Sequence, residues 1–194
     1  MSLSPKREGR LTASSFAAAI GLNPYSSRQK LFRELTGVDP KFQGNEMTAW
    51  GNDHEQDAVN RYEAEYGVIL SNTGDAQDFI ICSDNDWIGC TPDGFNDEIV
   101  TEFKCPFSLK VYPEIPAYYM PQVQGQMAIA KKQLSHFACW TPDDFGVWEV
   151  EFNQEYWGIE LSLLEKFYKE WKSNEQPARG KKPVMPDITI TRIY

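Results

Sequence analysis

The 194 residues are enough for one domain of ordinary size, and a composition of 41 % apolar and 13 % aromatic residues excludes a disordered or low-complexity chain. Nineteen basic against 28 acidic residues give a net charge of −9, which argues against a protein that coats nucleic acid non-specifically but not against an enzyme whose acidic residues hold a metal. No apolar stretch approaches the roughly 20 residues of a membrane span, and the first residues lack the apolar core of a secretory signal, so an intracellular protein without a membrane segment is expected.

Along the chain, residues 12–20 read as a short helix capped by Thr12 or Ser14 and stopped by Gly21 and Pro24. A second helix is predicted over Ser27–Leu35, ended by Gly37, and a third from Thr48 to Tyr66, ended by Gly67. Three strand-like runs follow, Asp78–Cys82, Trp87–Thr91 and Ile99–Lys104, expected as a three-strand meander. A helix over Ala117–Lys131, strands Ser135–Trp140 and Val147–Phe152, and a long helix Gln154–Trp171 complete the pattern. The last helix carries Trp157, Leu161, Leu164, Tyr168 and Trp171 at alternating spacings of four and three, a core stripe. Residues 173–194 form a polar, basic, Pro-rich tail, and residues 1–194 as a whole read as a single domain. This order predicts an α/β fold, one mixed β-sheet flanked by helices.

Four cysteines, with no C-x-x-C pair and two histidines, argue against a zinc or iron–sulfur site and read as reduced core thiols. The basic residues gather in three clusters: Lys6, Arg7 and Arg10; Arg28, Lys30 and Arg33; Arg179, Lys181 and Lys182. Each reads equally well as a solvated face or a binding patch.

Several polar residues stand where apolar ones belong. In the strand through Ile99–Lys104, Ile99, Thr101, Phe103 and Cys105 take one face and Val100, Glu102 and Lys104 the other, with Glu102 and Lys104 about 6.6 Å apart along it. An exposed ion pair is the plain alternative. Upstream, Pro92 ends a strand and Asp93 precedes Gly94 at a turn. An ordinary Asp-Gly turn explains this, yet Asp93 and Glu102 also begin and end one hairpin-like unit. In the third helix, Glu55 falls on the apolar stripe of Val59, Tyr62 and Tyr66, whereas Gln56, Asp57, Asn60, Arg61 and Glu63 point away. A carboxylate facing a core needs a basic partner or a metal. In the next helix, Tyr119, Gln122 and Gln126 form a strip beside the stripe of Met120, Val123, Met127 and Ala130. Carboxylates at this density suit a hard cation, Mg²⁺ or Mn²⁺, and a lysine among them can orient or deprotonate a water, the equipment of phosphodiester hydrolysis.

Pro92-Asp93 followed by Glu102-Phe103-Lys104 resembles the PD-(D/E)xK nuclease signature. Leu11-Thr12-Ala13-Ser14-Ser15, Trp50-Gly51 with Glu55, Thr91-Pro92-Asp93-Gly94, Glu102 to Phe107, and Tyr119, Gln122 and Gln124 occur in the order found in the phage lambda exonuclease family of YqaJ-type viral recombinases and alkaline exonucleases. The resemblance implies a restriction-endonuclease-like core and a processive 5′-to-3′ exonuclease on double-stranded DNA ends, releasing mononucleotides and leaving a 3′ single strand for recombination. It implies a pair of Mg²⁺ ions, with Mn²⁺ as a substitute, held by Asp93, Glu102 and the Phe103 carbonyl, with Glu55 as a further metal ligand or a water-positioning carboxylate. Lys104 would orient the attacking water, and Gln122 and Tyr119 would position water or phosphate. Arg7, Ser14 and Thr91, with Gln122, match the pocket for a 5′-phosphate, although Arg10 is close enough to replace Arg7. The family also implies a ring-shaped homotrimer, a single-strand annealing protein as partner, and a phage or prophage origin in the bacterial cytoplasm. A structure-specific or repair endonuclease of the same superfold, or an inactive DNA-binding member, is the alternative.

Overall fold

The computed structural model describes residues 5–74 and 77–194. In chain order the elements are β1 (Leu11–Thr12), α1 (Ala13–Ile20), α2 (Arg28–Leu35), α3 (Glu46–Tyr66), β2 (Ile80–Ile81), β3 (Ile88–Cys90), β4 (Gly94–Phe95), β5 (Ile99–Lys104), α4 (Met120–Ala130), β6 (Leu134–Trp140), β7 (Phe145–Glu151), α5 (Gln154–Lys172) and β8 (Ile190–Arg192). No helix among the described residues is long and apolar enough to cross a membrane.

The helix ends follow local chemistry. Gly21 closes α1 in the left-handed conformation at φ 85°, and the Ser27 side chain caps α2 by accepting from the Lys30 N–H. Helix α3 starts two residues before the expected Thr48, because Asn45 and Thr48 form a reciprocal capping box that makes Thr48 the third helical residue. Glu63, expected to point away, turns in and accepts from the Leu70 N–H at 2.7 Å.

The expected mixed α/β architecture is present, but as two hydrogen-bonded sheets where one was expected. A three-stranded sheet has the order β1-β3-β2, and a five-stranded sheet the order β4-β5-β6-β7-β8. The expected meander is therefore broken: β2 and β3 pair antiparallel, while β5 belongs to the larger sheet. The cause is local. Pro92 has no N–H to extend the β3 ladder, and the chain crosses there into the β4–β5 hairpin. In the larger sheet β5 and β6 run parallel and the other neighbours antiparallel, so the long connection from β5 to β6 carries α4 across one face.

That sheet is buried on both faces. Ile99, Phe103 and Cys105 pack with Ala58, Val59 and Tyr62 of α3, whereas Val100, Phe137, Trp148 and Val150 pack with Met120, Val123 and Met127 of α4. The alternation along β5 thus holds, and it aims Glu102 at α4. Helices α1 and α4 touch through Gly125, where a Cβ would lie 2.6 Å from the Phe16 ring.

Glu160 of α5 is fully buried, and neither carboxylate oxygen has a partner among the described residues. Burial holds its carboxyl well above the ordinary carboxylate range. A raised folded-state pKa gives stability that is present below the unfolded value, near 4.3, and is lost as pH rises towards the folded value. Glu160→Met should therefore raise the Tm at neutral pH, by roughly 2–10 °C if the relieved penalty is about 1–3 kcal/mol. Melting curves at pH 5 and pH 8 check this: the gain must be larger at pH 8.

Candidate active site

Two carboxylates, Asp93 and Glu55, line one cleft, and a third, Glu102, lies buried beneath it. The hairpin register pairs Gly94 with Thr101, which sets Asp93 opposite Glu102 at the next position. The Asp93 N–H donates to the Thr101 carbonyl at 3.2 Å, and Asp93 Oδ2 accepts from the Phe103 N–H at 2.7 Å. Asp93 is thereby fixed from both ends of its own backbone and side chain. Glu55 approaches from α3 and accepts from Gln77 Nε2 at 2.7 Å.

Glu102 lies beneath, 1 % exposed. Its Oε1 accepts from Lys104 Nζ and, at 2.6 Å, from Gln122 Nε2, and its Oε2 accepts from Gln126 Nε2 at 2.6 Å. The exposed-ion-pair alternative for Glu102 and Lys104 is excluded by this burial. Tyr119 offers its ring, not its hydroxyl, to the lysine: Lys104 Nζ lies 5.2 Å from the ring centroid, and the hydroxyl faces that of Tyr112 at 3.4 Å. Glu55, Asp93, Phe103, Lys104 and Tyr119 line a cleft of about 620 Å³, which Tyr25, Phe107, Tyr112 and Tyr118 also border.

The electrostatics follow from this packing. Burial, and then the Glu102 charge, push the Asp93 carboxyl well above the usual carboxylate range. Burial also raises Glu55, with Gln77 opposing the shift. Burial pulls the Lys104 ammonium down, but the Glu102 and Asp93 carboxylates together outweigh it, so the ammonium is held above its ordinary value. Lys104 Nζ thus serves as a donor to Glu102. Burial and the neighbouring Cys139 push the Cys105 thiol, at the end of β5, up to about 12, so this cysteine is a neutral core group.

Among the described residues no three His, Cys, Asp or Glu side chains are drawn together as a ready-made ligand set. Glu55 is engaged by Gln77 and Glu102 by its three donors. The donor chemistry nevertheless fits a hard divalent cation: the groups are carboxylates, and Asp93 and Glu55 are both penalised by burial and by the Glu102 charge. A cation would relieve that penalty.

The residues expected to bind a 5′-phosphate are only partly gathered. Arg7 Nη2 donates to Thr91 Oγ1 at 2.6 Å, and the guanidinium lies over the Phe79 ring at 5.6 Å. Ser14 is exposed, 3.1 Å from the Thr12 hydroxyl, and lines a hollow of about 510 Å³ together with Arg7. Gln122 joins the carboxylates instead. Arg10 is committed elsewhere, donating to the carbonyls of Asp86 at 2.6 Å and Lys6 at 2.9 Å.

Of two further site residues, one has no role assigned by the sequence and the other no signal in it. Gln126 was visible in the strip beside the α4 stripe, but nothing there set it apart from a satisfied core amide. Gln77 lies in a loop without periodicity, and no sequence signal links it to Glu55.

The YqaJ-like viral recombinase domain matches residues 4–133. Protein D345L of African swine fever virus (isolate Tick/Malawi/Lil 20-1/1983) is 26 % identical over 156 residues, covering 64 % of this chain and 44 % of the viral protein. The chain thus spans under half the length of that relative. Among solved structures, the alkaline exonuclease LHK-Exo of Laribacter hongkongensis superposes with a TM-score of 0.70 at 25 % identity, covering 87 % of this chain and 91 % of that one. Its complex with dAMP gives a TM-score of 0.71 at 23 % identity, covering 86 % and 90 %.

Proposed function

The chain belongs to the YqaJ-like viral recombinase domain family, and from that premise we propose that it is a metal-dependent exonuclease that degrades the 5′-ended strand of double-stranded DNA. The observation that carries this reading is the hairpin that sets Asp93 opposite Glu102, with Lys104 on the buried carboxylate and Glu55 across the cleft. The fold shared with an alkaline exonuclease supports it.

In this reading Asp93, Glu102, Glu55 and the Phe103 carbonyl hold Mg²⁺, with Mn²⁺ as a substitute. A bound divalent cation supplies Lewis-acid activation of water and neutralises charge developing on the phosphate. Gln122 and Gln126 fix the Glu102 carboxylate in one rotamer. The Lys104 ammonium orients the attacking water and faces the negative charge that grows in the transition state. Tyr119 walls the cleft on the lysine side. Products are 5′-mononucleotides and a 3′ single strand for a strand-annealing partner, in the cytoplasm of a phage-infected or lysogenic bacterium.

End-labelled linear duplex incubated with Mg²⁺ should lose mononucleotides from its 5′ ends, and closed circles should persist. Cutting of closed circles, or full activity in excess EDTA, would overturn the reading.

In this reading Arg7 and Thr91 recognise the end itself, and Ser14 lines the hollow that Arg7 borders. A terminal phosphate carries more charge than an internal diester, and one charge-assisted hydrogen bond contributes about 1.5–3 kcal/mol. Arg7→Ala should lower activity on 5′-phosphorylated duplex by roughly 10- to 150-fold and barely change activity on 5′-hydroxyl duplex. Because Arg10 is tied to two carbonyls, Arg10→Ala should leave the end preference intact. The opposite pattern would assign the phosphate to Arg10.

A net charge of −9 suits a monomer gripping DNA poorly, so the basic clusters are gathered by assembly into a trimer around the duplex. Light scattering should give a mass of about three chains. A monomer that still digests long duplexes processively would contradict it.

A further inference from the structure

Two of the basic clusters, separated by some 150 residues in sequence, meet in the fold. Residues 177–190 run alongside the α1–α2 loop, residues 21–27, and Gln29 Nε2 donates to the carbonyl of the buried Pro177 at 3.3 Å. Three hollows adjoin along this seam. The first, about 380 Å³, lies between Asn23, Arg28 and Arg179. The second, about 560 Å³, lies between Leu22, Tyr118 and the segment from Lys182 to Ile190. The third is the carboxylate cleft itself, which shares Tyr118 and is bordered by Tyr25. One loop thus contributes to all three, and the tail forms the far side of the first two.

The charge along this seam is opposite to that of the whole chain. Arg179, Lys181 and Lys182 are exposed, and none forms an ion pair with another described residue. Arg28 is paired with Glu170 at 2.7 Å, and Asp187 is the carboxylate that lines the middle hollow. At the cleft end, Tyr25 is 77 % exposed and meets Tyr118 edge-to-face at 5.6 Å. Tyr25 and Tyr118 stand at one end of the seam, and Lys182 and Arg179 border its other two hollows. Aromatic rings together with free cations are the combination that single-stranded nucleic acid uses: cations follow the phosphates and aromatic faces stack the bases. A duplex would engage the cations but offers no free base face to Tyr25.

We infer that this seam is a track for single-stranded DNA leading to the carboxylate cleft, with Arg179, Lys181 and Lys182 on the phosphates and Tyr25 and Tyr118 against the bases. The connection of the strand to hydrolysis rests on the nuclease reading; the binding does not, and it is measurable without metal.

The test uses the full chain in EDTA and a fluorescein-labelled thymidine oligonucleotide of about 15 nucleotides, followed by anisotropy at several salt concentrations. The triple charge reversal Arg179→Glu, Lys181→Glu, Lys182→Glu should weaken binding at least tenfold and reduce the slope of log affinity against log salt by about 2, since each single-strand phosphate contact contributes about 0.7. Tyr25→Ala should weaken single-strand binding by roughly 5- to 150-fold and leave the slope unchanged. Wild-type affinity in the triple variant overturns the track. A Tyr25→Ala loss that is equal on hairpin duplex and on single strand assigns the seam to duplex and also overturns it. If the variants behave as expected but the wild-type protein with Mg²⁺ hydrolyses no DNA, the nuclease reading fails and the track stands.

Discussion

Asp93→Asn is expected to abolish hydrolysis while leaving the metal-free fold intact. The substitution keeps an Oδ1 that can accept the Phe103 N–H, now made by the carboxylate at 2.7 Å, so the β4–β5 hairpin retains its clasp. What it removes is a desolvated negative charge beside Glu102 and Glu55. Without metal that charge is a burden. The wild-type carboxyl has a folded pKa above its unfolded value, so the stability linked to it is present at acid pH and lost as pH rises. The variant should therefore melt at the same or a higher temperature than wild type in EDTA at pH 8. With Mg²⁺ the order should reverse if Asp93 holds the cation as proposed, because a metal held by carboxylates stabilises the native state by mass action and the variant would lack one ligand. Metal-assisted phosphodiester hydrolysis draws several kcal/mol from that site, so the rate should fall by at least about 10³-fold. Rates by release of acid-soluble nucleotide and Tm with and without Mg²⁺ check both halves. A variant that turns over within tenfold of wild type would remove Asp93 from the metal site. Glu102→Ala is a poorer probe, since it strips the acceptor from Lys104, Gln122 and Gln126 together and leaves three donors unpaired.

The contrast between Glu102 and Gln77 shows where sequence reasoning reaches. Glu102 was legible because a strand alternates strictly and its neighbours Val100 and Phe103 fixed the two faces; Glu55 was legible because a helix repeats every 3.6 residues and Val59 and Tyr62 marked the stripe. Both signals are periodic. Gln77 sits in a loop, and its bond to Glu55 depends on the tertiary path between α3 and β2. Strands β1, β4 and β8, of two or three residues, are too short for any alternation to register. The division into two sheets was written in Pro92, read as a strand end, but a missing N–H does not say which strand the chain pairs with next. The convergence of Arg28 with Arg179 is likewise invisible in sequence, because it follows from how the tail runs beside the α1–α2 loop. Arg7 was legible through the resemblance; its bond to Thr91 required the coordinates.

Lys104→Gln is expected to cut kcat by at least about 100-fold with DNA binding retained. Glutamine reaches less far but keeps an N–H donor for Glu102, so the substitution tests the charge more than the hydrogen bond. The Glu102 and Asp93 carboxylates raise the ammonium above its ordinary value, and the two roles tested are orienting the water and facing the developing charge. Groups of this kind contribute about 10²–10⁴ to rate. A structural role alone would appear differently. Breaking a buried pair lowers stability, and Lys104→Ala should therefore lose both Tm and activity, whereas Lys104→Gln should recover much of the Tm and little of the rate. Separating kcat from KM on 5′-phosphorylated duplex decides the matter. A raised KM with normal kcat would move Lys104 to gripping the phosphate, because uniform binding of substrate and transition state changes KM alone. Recovery of rate in parallel with Tm would make the lysine a support for Glu102 and no more.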